Sequence, residues 1–256
     1  MFENNIPYFK NGNILKKSML LNLRDYPRKF IDIYFQDFSD GIIAGSNIFL
    51  DNGYFCVDKG VVKYNGIIYI LEELCKIRYE NTNKEMIVKI RFLAKEEKKD
   101  FKIYSSDIIL DDDLELKSNE IELGRFKLRE GAKLRSTYKD FMDFSTEFNT
   151  INIINVPYAN IDEATLHPLI VRFFAKKILE LNDDNLIDYA FALECLNSRV
   201  INRILLENYL KRRLNLPGDN YSNLDIYNYM NDIIKSLSGM KTNHSNTKKI
   251  PKIIVD

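Results

Sequence analysis

Catalysis, metal binding and phosphate binding each need particular side chains at particular spacings, and this chain supplies few of them. Only two histidines occur in 256 residues, His167 and His244. His167 precedes Pro168 on an apolar face and reads as a structural or surface position, while His244 lies in a polar tail. A nucleophile–histidine–carboxylate triad or a His-rich metal cluster therefore has almost no raw material. The three cysteines, Cys56, Cys75 and Cys195, form no C-x-x-C pair, and their odd, sparse set suits buried free thiols in a reducing compartment. Asp111, Asp112 and Asp113 gather three carboxylates, yet they lack the alternating ligand spacing and distal Glu of a calcium loop and read as a solvated turn. The expectation is a chain with no catalytic residues, no metal ligands and no cofactor.

Phosphate chemistry fares no better. A P-loop needs Gly, four residues, then Gly-Lys-Ser/Thr, so that backbone amides cradle the phosphates. The nearest echo, Gly239-Met240-Lys241-Thr242, lacks the upstream Gly and interposes Met. No G-x-G-x-x-G occurs, and the glycine pair of Gly41-Ile42-Ile43-Ala44-Gly45 leads into a strand rather than a helix. Two basic clusters remain. Lys211, Arg212 and Arg213 close a helix, where cations complement the dipole, and they stand as weak phosphate-binding candidates. Lys248, Lys249 and Lys252 lie in the tail. Lys+Arg and Asp+Glu are both 37, so the chain has no net charge, and the basic excess of a nucleic-acid binder is missing. Nucleic acid is thus an unlikely partner.

The elements that must position these residues are legible from periodicity. A hydrophobic fraction of 45% and a charged fraction of 29% describe a globular chain with a real core. No signal peptide and no apolar run of about 18 residues is seen, so cytoplasmic synthesis and no membrane insertion are expected. Residues 1–38 read as an arm and a helix, with Asp25 as cap, Pro27 in the first turn, and Phe30, Ile33, Tyr34 and Phe38 on one face. Residues 39–130 carry short β-branched and aromatic runs split by turn signals. Asn65-Gly66 between VVKY and IIYI is the clearest hairpin, because a type I′ turn needs two residues of positive φ. Residues 131–160 form a connection, 161–239 a helical module, and 240–256 a flexible basic tail. The fold class is α+β: an N-terminal antiparallel β-rich module, a small sandwich or barrel, followed by a C-terminal helical bundle.

Residues 37–73, DFSDGIIAGSNIFLDNGYFCVDKGVVKYNGIIYILEE, hold an Asp-Gly-Ile-Ile-x-Gly turn-strand, a strand at Lys59-Gly60-Val61-Val62, and the Asn65-Gly66-Ile67-Ile68-Tyr69 hairpin. This text resembles an N-terminal β-module of tail-fibre and baseplate proteins from phages and phage-tail-like bacteriocins of low-GC Gram-positive bacteria. Sequences of this look have also been labelled helicases, which the missing phosphate loop disfavours. The resemblance implies a structural, non-enzymatic part of a contractile particle, docked at the baseplate or the tail-fibre attachment. Its partners would be other baseplate or tail-fibre subunits in multiple copies, and the particle would be released by lysis. A cytosolic fibre-assembly chaperone and a nucleic-acid-binding accessory factor are the alternatives. The turn-strand region, with Gly41, Gly45, Gly60, Asn65, Gly66 and Tyr69, is the expected turn framework and interface.

Overall fold

The computed structural model describes residues 1–181, 185–218 and 220–239. The tail at 240–256, with His244 and the second basic cluster, lies outside the described residues. The chain opens with α1 (Lys17–Tyr34) and continues through β1 (Gly41–Gly45), β2 (Ile48–Asp51), β3 (Tyr54–Val57), β4 (Gly60–Tyr64), β5 (Ile67–Leu71) and β6 (Cys75–Arg78). Next come β7 (Glu85–Phe92), β8 (Glu96–Glu97), β9 (Lys102–Ile103), β10 (Ser106–Asp111) and β11 (Glu120–Lys127). A 3-10 turn (Phe141–Ser145) precedes α2 (Pro168–Leu181), α3 (Leu186–Asn197), α4 (Arg203–Leu214) and α5 (Asn223–Leu237). The order is α+β, antiparallel strands first and helices last.

Three three-stranded antiparallel sheets, ordered β1-β4-β5, β2-β3-β6 and β10-β7-β11, and the small β8-β9 ribbon make up the β-rich part. β4 and β5 pair from Tyr64 opposite Ile67 to Gly60 opposite Leu71. The turn between them places Asn65 at φ 47° and Gly66 at φ 73°, the two positive values that its sequence demands. β7 and β11 are buried along most of their length: β7 carries a near-continuous apolar run broken by Lys89, whereas β11 alternates apolar and polar residues yet still buries Glu120 and Glu122.

Helix boundaries follow local chemistry. α2 begins at Pro168, whose missing N–H costs nothing in a first turn. His167 Nδ1 accepts the Leu169 N–H at 3.1 Å, tying off that turn. Asn185 and Asn202 cap α3 and α4 through the amides of Ile187 and Ile204. Ser222 and Asp225 form a reciprocal capping box on α5.

The N-terminal helix departs from expectation. It starts at Lys17, eight residues before Asp25, and ends at Tyr34 rather than Phe38. Pro27 stands inside the helix, and Asp25 pairs with Arg24 instead of capping. A helix with solvent on all sides tolerates the carbonyl that Pro27 leaves without its usual donor, because water replaces it.

One apolar cluster runs through both parts of the chain. It joins Phe55, Val88 and Phe126 from the strands to Ile170, Phe174, Leu210 and Tyr227 from the helices. The 134–159 stretch supplies Leu134, Phe141, Phe144, Ile151, Ile153, Ile154 and Val156 to that cluster. Phe141 stacks on Tyr227 with ring centres 4.8 Å apart, and the Tyr227 hydroxyl donates to the Phe141 carbonyl at 2.8 Å. Inside the sheet, Lys89 is fully buried between Glu120 (3.0 Å) and Asp111 (3.1 Å), and Arg91 holds the other Glu120 oxygen at 2.7 Å.

Candidate functional site

Two features of the surface stand out: a cleft in the β-rich part and the unburied N-terminal helix. The cleft, of about 800 Å³, opens between β5 and β10, each at an edge of its sheet. Val62, Ile68, Ile70, Ile90, Phe92 and Ile108 supply its apolar walls, with Tyr69, Tyr104, Cys75 and Asp107 at polar positions. Phe92 forms the floor, stacked on Tyr64 at 4.0 Å and tilted against Tyr69 at 4.8 Å. Burial pushes the Tyr69 hydroxyl and the Cys75 thiol up from their ordinary values, so both stay protonated at neutral pH. A protonated thiol is a poor nucleophile. The cleft offers apolar contact and strand edges.

The expected interface residues divide by role. Gly41 is buried at φ 141°, and a Cβ there would stand 2.8 Å from the Pro157 carbonyl oxygen. That close approach lets Ile42 exchange backbone hydrogen bonds with Pro157 and Ala159, both at 2.9 Å. Gly45 turns the chain at φ 66°. Gly60 is different from the turn glycine its sequence suggests: its φ is ordinary, and it is needed because Ser46 occupies the space of a side chain. Asn65 and Gly66 are exposed at the hairpin tip, and the Asn65 N–H donates to Asp40 Oδ1 at 2.9 Å. Tyr69 alone of the six lines the cleft with its ring half-buried, while Gly60 contributes backbone there.

Lys211, Arg212 and Arg213 fall in the last turn of α4, as their dipole reading requires. Arg213 is engaged inward: its Nε donates to the buried carboxylate of Asp188 at 2.8 Å. Lys211 lies over the Tyr221 ring at 5.9 Å, and Arg212 is exposed. Arg213 is thus turned to Asp188 and Lys211 to Tyr221, two different groups. His167 sits edge-on to Tyr158 at 4.7 Å, and burial drops its ring to about 3, so it stays neutral.

The second feature is α1. No residue of this helix is buried. Leu23, Tyr26, Phe30 and Ile33 are 52%, 50%, 63% and 66% exposed, and the arm before it exposes Phe2, Ile6, Tyr8, Phe9, Ile14 and Leu15. Its attachment is specific. Lys63, on β4 and 6% exposed, donates from Nζ to the carbonyls of Phe35 (2.6 Å), Gln36 (3.0 Å) and Phe38 (2.5 Å). A cation at a helix C-terminus satisfies carbonyls that lack intrahelical donors and complements the dipole. Beyond it the chain is stitched to the body: Ser39 donates to the Asn160 carbonyl at 2.8 Å, and Asp162 donates to that of Asp37 at 3.0 Å. Lys63 was invisible to sequence reasoning, since a lysine in a strand reads as solvent-facing. The exposure of α1 was also hidden, because an apolar stripe looks alike whether it meets the core or a partner.

Among the described residues, no group of three or more His, Cys, Asp or Glu is placed to hold a metal ion, and no helix is long and apolar enough to cross a membrane.

No family model and no curated protein matches the chain. Among solved structures, a crystal structure of TssK aligns with 93% of this chain and 58% of its own, at 9% identity and a TM-score of 0.33. The chain thus spans under two thirds of that protein. A chain from a cryo-electron microscopy structure of the type VI secretion system TssK-TssF-TssG baseplate subcomplex aligns over 92% of this chain and 100% of its own, at 9% identity and a TM-score of 0.39. Likeness this distant assigns neither a family nor a function.

Proposed function

We propose that this chain is a non-enzymatic structural component of a contractile phage-tail-like particle, docked at the baseplate or the tail-fibre attachment. One observation carries the docking role: a helix and arm with apolar side chains in water, fixed to the body at one end by a buried lysine. A monomer gains nothing by holding such a surface out of its own core, and exposed apolar patches of this kind mark interaction sites. The cleft between two strand edges adds a second contact surface. The text of residues 37–73, with its turn glycines and hairpin, supports the choice of particle. The polar network is spent on structure: Lys89, Glu120, Asp188 and Arg213 neutralise one another inside the fold.

The test is sedimentation of a native lysate, induced for particle production, with mass spectrometry of the pelleted particles. The chain is expected there at a fixed ratio to tube or sheath subunits. Finding it only in the supernatant beside intact particles would overturn the reading in favour of an assembly chaperone.

A further inference from the structure

The cleft of about 800 Å³ is flanked by two strands that lack a second neighbour. β5 pairs only with β4, and β10 only with β7. Among the described residues, no backbone hydrogen bond from outside these two ladders reaches 67–71 or 106–111. Each edge therefore keeps a row of amides and carbonyls without protein partners, the template on which a further strand pairs. A helix cannot use such an edge, because its own amides and carbonyls are bonded internally. Between the edges the cleft is apolar, with Ile68 and Ile70 on β5, Ile108 on β10, and Ile90 and Phe92 from β7. Three carboxylates flank it: Glu72 and Glu73 directly follow β5, Asp107 lies on β10, and all are exposed. The geometry thus specifies an occupant that is extended, apolar on one side and basic.

We propose that the cleft is the docking site of this chain's own segment 250–256, which adds to it as a β-strand. That segment reads Ile250-Pro251-Lys252-Ile253-Ile254-Val255-Asp256, and Lys248 and Lys249 precede it. Its run of β-branched residues favours a strand, and Pro251 suits the first residue of one. Five residues follow that proline, the length of β5. In an extended chain Pro251, Ile253 and Val255 fall on one side, all apolar, and match the floor of Ile90 and Phe92. The other side alternates Ile250, Lys252, Ile254 and Asp256, and the lysines of 248–252 complement Glu72, Glu73 and Asp107. The tether is long enough for the task. Residues 240–251 span up to about 40 Å when extended, against a radius of gyration of about 18 Å for a domain of this length. The segment would close an edge that otherwise invites pairing with other chains, and a neighbour using the cleft would have to displace it. The inference goes beyond the structural role and does not depend on it.

The experiment compares hydrogen exchange of the purified full chain with that of a chain ended after Lys249. Ending the chain there should quicken exchange within 67–71 and 106–110 by about 10-fold or more, while β7 and β11 keep their rates and so report an intact body. The double variant Ile253→Glu/Val255→Glu should act like the truncation. A synthetic peptide of residues 248–256 added to the truncated chain should restore the slow rates. In a second measurement the native Cys75, which lines the cleft, serves as a trap. Ile253→Cys or Val255→Cys should form a disulfide with it under mild oxidation at the 30.1 kDa of one copy, and Cys75→Ser should abolish that product. Edge amides that exchange equally fast with and without residues 250–256 overturn the proposal and leave the edges open to a partner's strand. Edges that stay slow after truncation but quicken when residues 1–16 are deleted also overturn it, by giving the site to the N-terminal arm. A disulfide found only between two chains overturns docking within one chain. None of these results moves the sedimentation of the chain with particles, so the structural role is tested apart.

Discussion

Lys63→Met would separate attachment of the N-terminal helix from folding of the body. The substitution keeps the stem and removes the ammonium that three carbonyls share, at 2.6, 3.0 and 2.5 Å. A hydrogen bond to a charged group contributes about 1.5–3 kcal/mol. The three do not add, because they share one cation and because water replaces it at the exposed Gln36. Taking about one and a half such bonds gives about 3 kcal/mol for docking the 35–39 segment, or about a hundredfold in its opening equilibrium. Hydrogen exchange reads this directly. The amides of Ser39 and Asp162 bond across the junction, so their exchange should quicken about 100-fold, while those of β7 and β11 keep their wild-type rates. Two results would refute the reasoning. One is a change below about threefold at Ser39 and Asp162; the other is equal acceleration throughout, which would make Lys63 a general core residue.

Four further outcomes are expected. Lys89→Met leaves the buried Glu120 carboxylate with Arg91 and without its lysine, and it should lower the unfolding free energy by about 3–5 kcal/mol in urea titrations followed by circular dichroism. Acid should destabilise the fold in two stages. His167, held near about 3 by burial, must gain a proton on unfolding once pH drops below its ordinary 6.5, so stability falls from there to about 3. Glu120 would be raised by burial, but the Lys117 N–H, Arg91 and Lys89 outweigh that and hold it at about 2. Arg135 first, with the Lys139 N–H, holds Asp143 at about 2 against burial. Both carboxylates stabilise the fold fully above their ordinary 4.5 and 3.8, and that contribution is lost as pH falls to about 2; thermal midpoints against pH should show both stages, and His167→Asn should remove the upper one. Gly41→Ala should destabilise by more than about 2 kcal/mol, because its Cβ would meet the Pro157 carbonyl at positive φ, whereas Gly53→Ala, with open space around it, should cost about 1 in the same assay. Arg213→Met should lower the thermal midpoint far more than Arg212→Met, because only Arg213 reaches the fully buried Asp188 carboxylate.

Residues whose meaning is local were legible in the sequence. The Asn65-Gly66 turn and a helix over 223–237 depend on φ values and caps that are written within a few positions, while Pro168 leaves a helix start or a kink equally open in the sequence and proves to be the start of α2. The N-terminal helix was misplaced because Asp25 and Pro27 imitate a start signal while Lys16, the actual N-cap residue, makes no side-chain cap bond. Gly60 was misread because its reason, Ser46, lies fourteen positions away. Lys63, the Lys89 network and the Arg213–Asp188 pair stayed hidden for the same cause: a buried charge is identified by partners that tertiary structure brings, and residue type alone predicts solvent. Of the six turn-and-interface residues, only Tyr69 presents a side chain to the cleft, since Gly41 and Gly60 serve close backbone approach.

The junction between β1 and the segment near Asn160 also sets a clock. The Asn160 N–H donates to the Ser39 hydroxyl across 121 residues, and the neighbouring Ile42 has its backbone partners at Pro157 and Ala159. During synthesis at roughly 5–20 residues per second, the junction must wait about 6–24 s for the 157–160 segment that completes it. Throughout that interval α1 has already left the ribosome with its apolar side chains bare, and the ledge to which Lys63 will bind it is unfinished. Non-local closure of this kind is slow even for a complete chain. Nascent copies on one message are thus exposed to premature pairing through their first 34 residues, and a holdase that covers Leu23 and Phe30 should raise the yield of soluble chain more than one acting on any later segment.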